Sequence, residues 1–201
     1  KIFPGICQNC SLSNHTVTFR LHRESIISTG LWCQPGIAAT IECHNPPDDI
    51  QIQIGSHSLS LATKPGPWKR WPSVYMNFPL KDGATKVATP YGGIVYLVVG
   101  DLSTNPINID IHFNNFARYT IVAYGKPEVF ESTKDSEVPW CEIMLNSIVF
   151  TVPRDFIQKV QNFNESFDFI EKHIQKVAEV ASYKIIRPYR IVFDKDITEK
   201  L

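Results

Sequence analysis

The chain has 201 residues, 43% of them hydrophobic and 20% charged, with 20 basic and 20 acidic side chains and a formal net charge of zero. That composition is globular and long enough for one large domain or two small ones. The charge balance removes the bulk attraction that drives non-specific nucleic-acid binding, so no nucleic-acid partner is expected. No stretch approaches the roughly 18–20 uninterrupted apolar residues that span a bilayer, so no membrane span is expected. The chain opens on Lys1 with no signal-peptide pattern.

In chain order, the first feature is a Cys-x-x-Cys at Cys7 and Cys10, followed by single cysteines at Cys33, Cys43 and Cys141. Five cysteines leave at least one free thiol in a monomer. The pair is open to three readings: structural thiols, a local disulfide, or metal and redox chemistry. No second pair follows to complete a zinc ribbon. Asn9, Asn14 and Asn164 each stand in an Asn-x-Ser/Thr sequon, which tilts toward an extracellular or cell-surface location, with a cytoplasmic one as the alternative.

The first three-quarters reads as β. Val17, Phe19 and Leu21 alternate with Thr16, Thr18 and Arg20, the pattern of a half-buried strand. Ile37 to Cys43 and Ile50 to Ile54 alternate again, separated by Pro/Gly/Asn/Asp turns. Asp48-Asp49 falls in one of these turns and reads as a solvated turn rather than a catalytic pair. Gly93 to Val99 is a continuous β-branched run, which predicts a strand buried on both faces. Ile107 to Phe113 alternates, and Tyr119 to Tyr124 is a further candidate strand. Many short strands with regular turn signals predict an antiparallel β-sandwich, jelly-roll-like.

The pattern then changes. Gly125 to Pro139 is polar and reads as a linker or long loop. Glu142 to Val152 reads as a hairpin turning at Asn146-Ser147. Phe156, Val160, Phe163, Phe167, Ile170, Ile174, Val177 and Ala181 recur at spacings of four and three. They predict one or two amphipathic helices, with Asn164 and Ser166 as possible caps of the second. Tyr189 to Phe193 returns to strand. The expected organisation is a β-sandwich domain over 1–125, then a hairpin, helices and a strand over 126–201: a mainly β chain with an α+β tail.

No catalytic constellation is legible. The six histidines include no pair four residues apart, as a His-Glu-x-x-His zinc helix requires. No nucleophile elbow or phosphate-cradling glycine loop occurs. The segment Pro65 to Pro72 stands out, with Trp68, Lys69, Arg70 and Trp71 between prolines and no strand or helix period. Exposed tryptophan on a β-sandwich loop can stack on a sugar ring, and neighbouring cations can pair with anionic sugars. The alternative is a pair of buried plugs with Arg70 stacked between them.

Several segments resemble those of the enhancin-like, mucin-active zinc metallopeptidases. They are Ser28 to Trp32 with Pro35-Gly36, Ile52 to His57 with Leu59, Trp68-Lys69-Arg70 with Pro72, and Thr89 to Leu97. Pro139-Trp140-Cys141-Glu142 with Ile148 to Pro153, and Arg190 to Asp194, resemble later family elements. The order is the family's and covers nearly the whole chain; Ser56 stands where the family often has Cys. The same domain occurs in the channel-associated factors of animals, which are channel regulators. The resemblance implies an accessory sandwich joined to the start of a peptidase-like region, with the zinc site beyond Leu201 and no metal ligand in this chain. It implies glycoprotein or glycan as substrate and the C-terminal catalytic region of the same protein as partner. Trp68, Arg70, Trp71 and Tyr91 are the candidate ligand contacts.

Overall fold

The computed structural model describes residues 3–100, 106–159 and 163–194. Two compact units divide at Arg118/Tyr119. The first unit contains β1 (Ser13–Leu21), β2 (Ser25–Cys33), β3 (Ala39–Cys43), β4 (Ile50–Ile54), β5 (Met76–Pro79), β6 (Gly83–Val87), β7 (Gly93–Val99) and β8 (Ile107–Arg118). The chain is mostly antiparallel β, as the alternating runs predict.

The long strand β8 explains how these strands close on one another. Its first part pairs with β1 and β3, and β3 pairs with β6. Its last two residues pair instead with Leu31 and Trp32 of β2, which continues through β7 and β4 to β5. Asn115 sits between these parts with φ 74°, and its side-chain amide donates to the Ala38 carbonyl at 2.8 Å. This left-handed residue lies where the register with β1 slips, a bulge that turns the strand from one sheet toward the other. The core lies between the two sheets. Phe19, Leu21, Ile41, Ile109, Ile111 and Phe113 come from one side, and Leu31, Ile50, Ile52, Ile54, Val95 and Leu97 from the other. Phe113 sits edge-on to both Phe19 and Phe116, an arrangement that aromatic quadrupoles favour.

The second unit contains β9 (Thr120–Ala123), α1 (Pro127–Glu131), β10 (Trp140–Met144), β11 (Ile148–Pro153), α2 (Arg154–Ile157), α3 (Phe163–Val180) and β12 (Tyr189–Val192). Its sheet runs β12-β11-β10-β9. The hairpin turns at Asn146-Ser147, with Leu145 N–H donating to the Ile148 carbonyl at 2.9 Å. The two outer pairings are parallel, and each is reached through a helical crossover. β9, expected with the sandwich, therefore pairs with β10 in this unit.

Gly125 to Pro139 is folded rather than a linker. It carries α1, a fully buried Val138, and Thr133, whose hydroxyl accepts from the Ile121 amide at 3.0 Å. α3 packs Phe163, Phe167, Ile170 and Ile174 toward the sheet core. The expected stripe departs at both ends: Phe156 and Val177 are exposed, and Ala178 is buried. Buried Glu171 takes a place on the packed face because its carboxylate accepts from the Ser147 hydroxyl at 2.8 Å and the Ser147 amide at 3.1 Å. It fastens the hairpin turn to the helix. Asn164 and Ser166 lie inside the first turn of α3 rather than at its cap. Val160 lies outside the described residues.

Candidate functional site

Two glycines fix where the candidate loops leave the sandwich. Gly55 follows β4 and Gly93 opens β7, and the two backbones touch: a Cβ on Gly93 would lie 2.6 Å from Gly55 Cα. Both have positive φ, 104° and 144°, conformations that glycine adopts without a steric cost. The loop 55–75 and the turn 89–92 therefore leave the same end of the sheet. The loop after β2 joins them there, since Gly36 N–H donates to the Thr89 carbonyl at 2.9 Å. The N-terminal segment does too: Gln34 donates from its amide to the Cys7 carbonyl, and Phe3 meets His57 edge-on at 4.6 Å.

Cys7 and Cys10 are paired as a local disulfide, one of the three readings of that motif. His57 is buried in its aromatic contact. Arg70 is the chief departure from expectation. Only 6% of it is exposed. Its guanidinium donates to the carbonyls of Leu59 (3.0 Å), Trp71 (2.9 Å) and Pro72 (3.2 Å), and it sits over the Phe3 ring at 5.8 Å. A rigid planar fork suits this task of tying several backbone oxygens together. Arg70 is thus an internal brace of the loop rather than a surface contact.

Both tryptophans are exposed, Trp68 at 43% and Trp71 at 64%. Trp68 is oriented by its indole N–H, which donates to the Lys64 carbonyl at 3.0 Å. The buried-plug alternative does not describe them. Lys69, between them, is also exposed and is the cation that the segment presents outward. Tyr91 is half-buried in its own turn, where its amide donates to the Thr89 hydroxyl at 3.0 Å. The sequence reading missed Leu59, Ile6 and Ile37, three exposed apolar side chains on the loops of this same end.

At the opposite end of the sandwich, Asp48 and Asp49 line a cleft of about 570 Å³ with Asn45, Gln51, Lys81 and Asp82. Asp49 has φ 63° and its carboxylate lies over Gly100, where a Cβ would meet it at 1.8 Å. Among the described residues, no group of three or more His, Cys, Asp or Glu could hold a metal ion. No described helix is long and apolar enough to cross a membrane.

Cys33, Cys43 and Cys141 are buried free thiols. Burial pushes the thiols of Cys33 and Cys141 up to about 12, which keeps them protonated and poor nucleophiles at neutral pH. An unfolded chain would ionise them near the ordinary value of 9.0. Their contribution to stability is therefore complete below pH 9 and drains away as pH rises toward 12. The expected result is slow alkylation of the native protein at pH 8, rapid alkylation in denaturant, and an unfolding midpoint that falls above pH 9. Fast native labelling of Cys33 or Cys141 would refute this.

A two-sheet sandwich followed by a small mixed α/β unit is a known class of fold. IMPa metallopeptidase from Pseudomonas aeruginosa has it, matching 94% of this chain and 27% of its own with a TM-score of 0.67 and 13% identity. So does the M60 catalytic domain of Clostridium perfringens ZmpC, solved with the sialyl T antigen, matching 92% of this chain and 45% of its own with a TM-score of 0.61 and 11% identity. Residues 8–113 match the N-terminal domain of M60-like peptidases. The chain belongs to that family. Among sequence relatives, TRPM8 channel-associated factor 3 of Rattus norvegicus is 25% identical over 181 residues, 87% of this chain and 20% of the relative. The TRPM8 channel-associated factor homolog of Xenopus laevis is 28% identical over 180 residues, 85% of this chain and 19% of the relative. The chain thus spans about a fifth of the length of the curated relatives it matches.

Proposed function

We propose that this chain is the non-catalytic front part of a metallopeptidase-like protein acting on mucin-type glycoproteins, and that the aromatic end of its sandwich grips glycan. One observation carries the reading: two exposed indoles, Trp68 and Trp71, stand on a loop held stiff from within by Arg70. A rigid, exposed aromatic pair loses little entropy on binding and offers π faces to the CH groups of a sugar. Solved relatives of this fold include IMPa in complex with T-antigen and with an O-glycopeptide. In such a protein the zinc ligands lie C-terminal to this chain, which supports the peptidase-like region and orients substrate. An exposed location of Asn9, Asn14 and Asn164, together with the Cys7–Cys10 disulfide, supports an extracellular setting.

The test is retention on immobilised mucin-type glycan. Trp68→Ala with Trp71→Ala should abolish retention at a stability cost of no more than about 1–2 kcal/mol, because Trp71 is 64% and Trp68 43% exposed. Normal retention by the double variant would remove the site. A second reading is favoured by the sequence relatives, which are channel-associated factors: an interaction module that regulates a membrane protein without protease activity. It expects unmodified Asn9, Asn14 and Asn164 and a reduced Cys7/Cys10 pair in native material. Intact-mass measurement separates the two.

A further inference from the structure

The edge strands of the sandwich are built differently from one another. β5 and β6 end the sheet order. β5 is four residues long and closes on Pro79, which has no amide hydrogen to offer. β6 is five residues long and exposes Lys86. Short length, proline and lysine are common means of keeping an edge from pairing with another chain. β1 has none of them. It runs for nine residues without proline, glycine or lysine, and among the described residues it pairs with β8 alone. The backbone groups on its other side are a template for a further strand.

The polar side chains of β1 lean away from that side. Thr16 Oγ1 is 2.9 Å from His112 Nδ1, and the Thr18 hydroxyl donates to the Asp110 carboxylate at 2.6 Å, so both reach across to β8. Asn14 stands where the register slips. Ser13 faces Phe116 and His15 faces Phe113, so Asn14 lies opposite both Asn114 and Asn115. Its Oδ1 accepts from the Asn115 amide at 3.3 Å. That bond uses the oxygen and leaves Nδ2, the atom to which a sugar is joined, out of it. Asn14 is exposed, and Thr16 completes its sequon. Asn9 and Asn164 lie on no strand.

We propose that Asn14 carries an N-linked oligosaccharide, and that this glycan shields the β1 edge from antiparallel pairing with β1 of a second copy. In the modification, Nδ2 bonds to the anomeric carbon of a lipid-linked oligosaccharide. The bond from that carbon to the pyrophosphate oxygen breaks, the amide gives up one proton, and the lipid pyrophosphate leaves. The attached group is bulky and hydrated. A two-fold pairing of the edges centred on Val17 would place Asn14 of each copy beside Arg20 of the other. One glycan would then stand at each end of the paired ribbon, where it blocks the approach. The inference rests on the extracellular setting proposed above and is independent of the tryptophan site.

The 201-residue chain, made through the secretory pathway of a eukaryotic cell, tests it. Peptide mapping should find glycan on Asn14, and light scattering should give one copy per particle at every concentration. Three unshielded forms should approach twice the monomer mass as concentration rises. They are Asn14→Gln, Thr16→Val (which breaks the sequon and keeps Asn14), and folded wild-type protein stripped by a peptide-N-glycosidase. In those dimers amide exchange over Ser13–Leu21 should slow by about tenfold or more. Asn9→Gln and Asn164→Gln should stay monomeric. A bare Asn14, or unshielded forms that stay monomeric, would overturn the inference. So would dimers with unchanged exchange in β1, or dimers that Asn9→Gln reproduces. Native material with all three asparagines bare and Cys7 and Cys10 reduced would remove the extracellular setting and this inference with it. Glycan on Asn9 or Asn164 with Asn14 bare would remove this inference alone.

Discussion

Replacing Glu142 with alanine should destabilise the second unit by about 3 kcal/mol or more. The carboxylate is fully buried and accepts from three donors. Its Oε2 accepts from the Tyr119 hydroxyl at 2.6 Å, and its Oε1 accepts from Thr151 Oγ1 at 3.3 Å and Arg190 Nη1 at 3.1 Å. Alanine would strand the Tyr119 hydroxyl and Thr151 without this acceptor, at a cost of roughly 1–3 kcal/mol for each buried group left unsatisfied. The Arg190 side chain is 22% exposed and can recover part of its hydration, which holds the total near the lower end of the range for broken buried pairs. Glu142→Gln keeps one carbonyl acceptor and should lose about half as much. Because the chain has two units, the loss is best located by hydrogen exchange, which should accelerate over β9 to β12 and remain native in the sandwich. Unaltered exchange in Glu142→Ala would mean that the network holds nothing in place.

The parts of this fold that were legible in the sequence are those where one physical signal dominates. β7 is central in its sheet, so its apolar run is continuous. β8 separates core from solvent, so Ile109, Ile111 and Phe113 alternate with Asn108, Asp110 and His112. The hairpin turn at Asn146-Ser147 follows from two flanking strands of matched length. β2 was hidden because Gly30 (φ 81°) falls in an irregularity between Ser28 and Trp32 and breaks the alternation. β5 and β6 end the sheet order and bury little, so they carry little pattern. On α3 the period identified Phe167 correctly and then failed at Val177, because a long-range need, an acceptor for Ser147, selects Glu171 for the packed face. The same limit applies to the site. Two tryptophans and two cations between prolines single out the loop as a candidate. Which cation points outward depends on where the carbonyls of Leu59, Trp71 and Pro72 converge, and only the folded chain brings those together with Phe3.

That dependence of the site on distant backbone makes Gly93→Ala the most informative single change for the first unit. A methyl group there would sit 2.6 Å from Gly55 Cα and 2.7 Å from Gly55 N, and both are backbone atoms that cannot swing aside. The φ of 144° adds a conformational cost of about 1–3 kcal/mol for a residue bearing a Cβ. Forcing the two strands apart adds roughly 1–3 kcal/mol more. Gly55 has no room to retreat, since its own Cβ position is 2.7 Å from the Val74 carbonyl. A total near 3 kcal/mol or above is expected, read as a lower urea midpoint for the sandwich. At a temperature where the variant remains folded, glycan retention should also weaken, because Gly55 is where the Trp68–Trp71 loop leaves the sheet. The tryptophan double variant should show the reverse pattern, with retention lost and most of the stability kept. If Gly93→Ala keeps the native midpoint, the back-to-back packing of Gly55 and Gly93 does not anchor the loops. If it loses stability and still holds glycan normally, the loop geometry is set elsewhere, with the Arg70 brace as the remaining support.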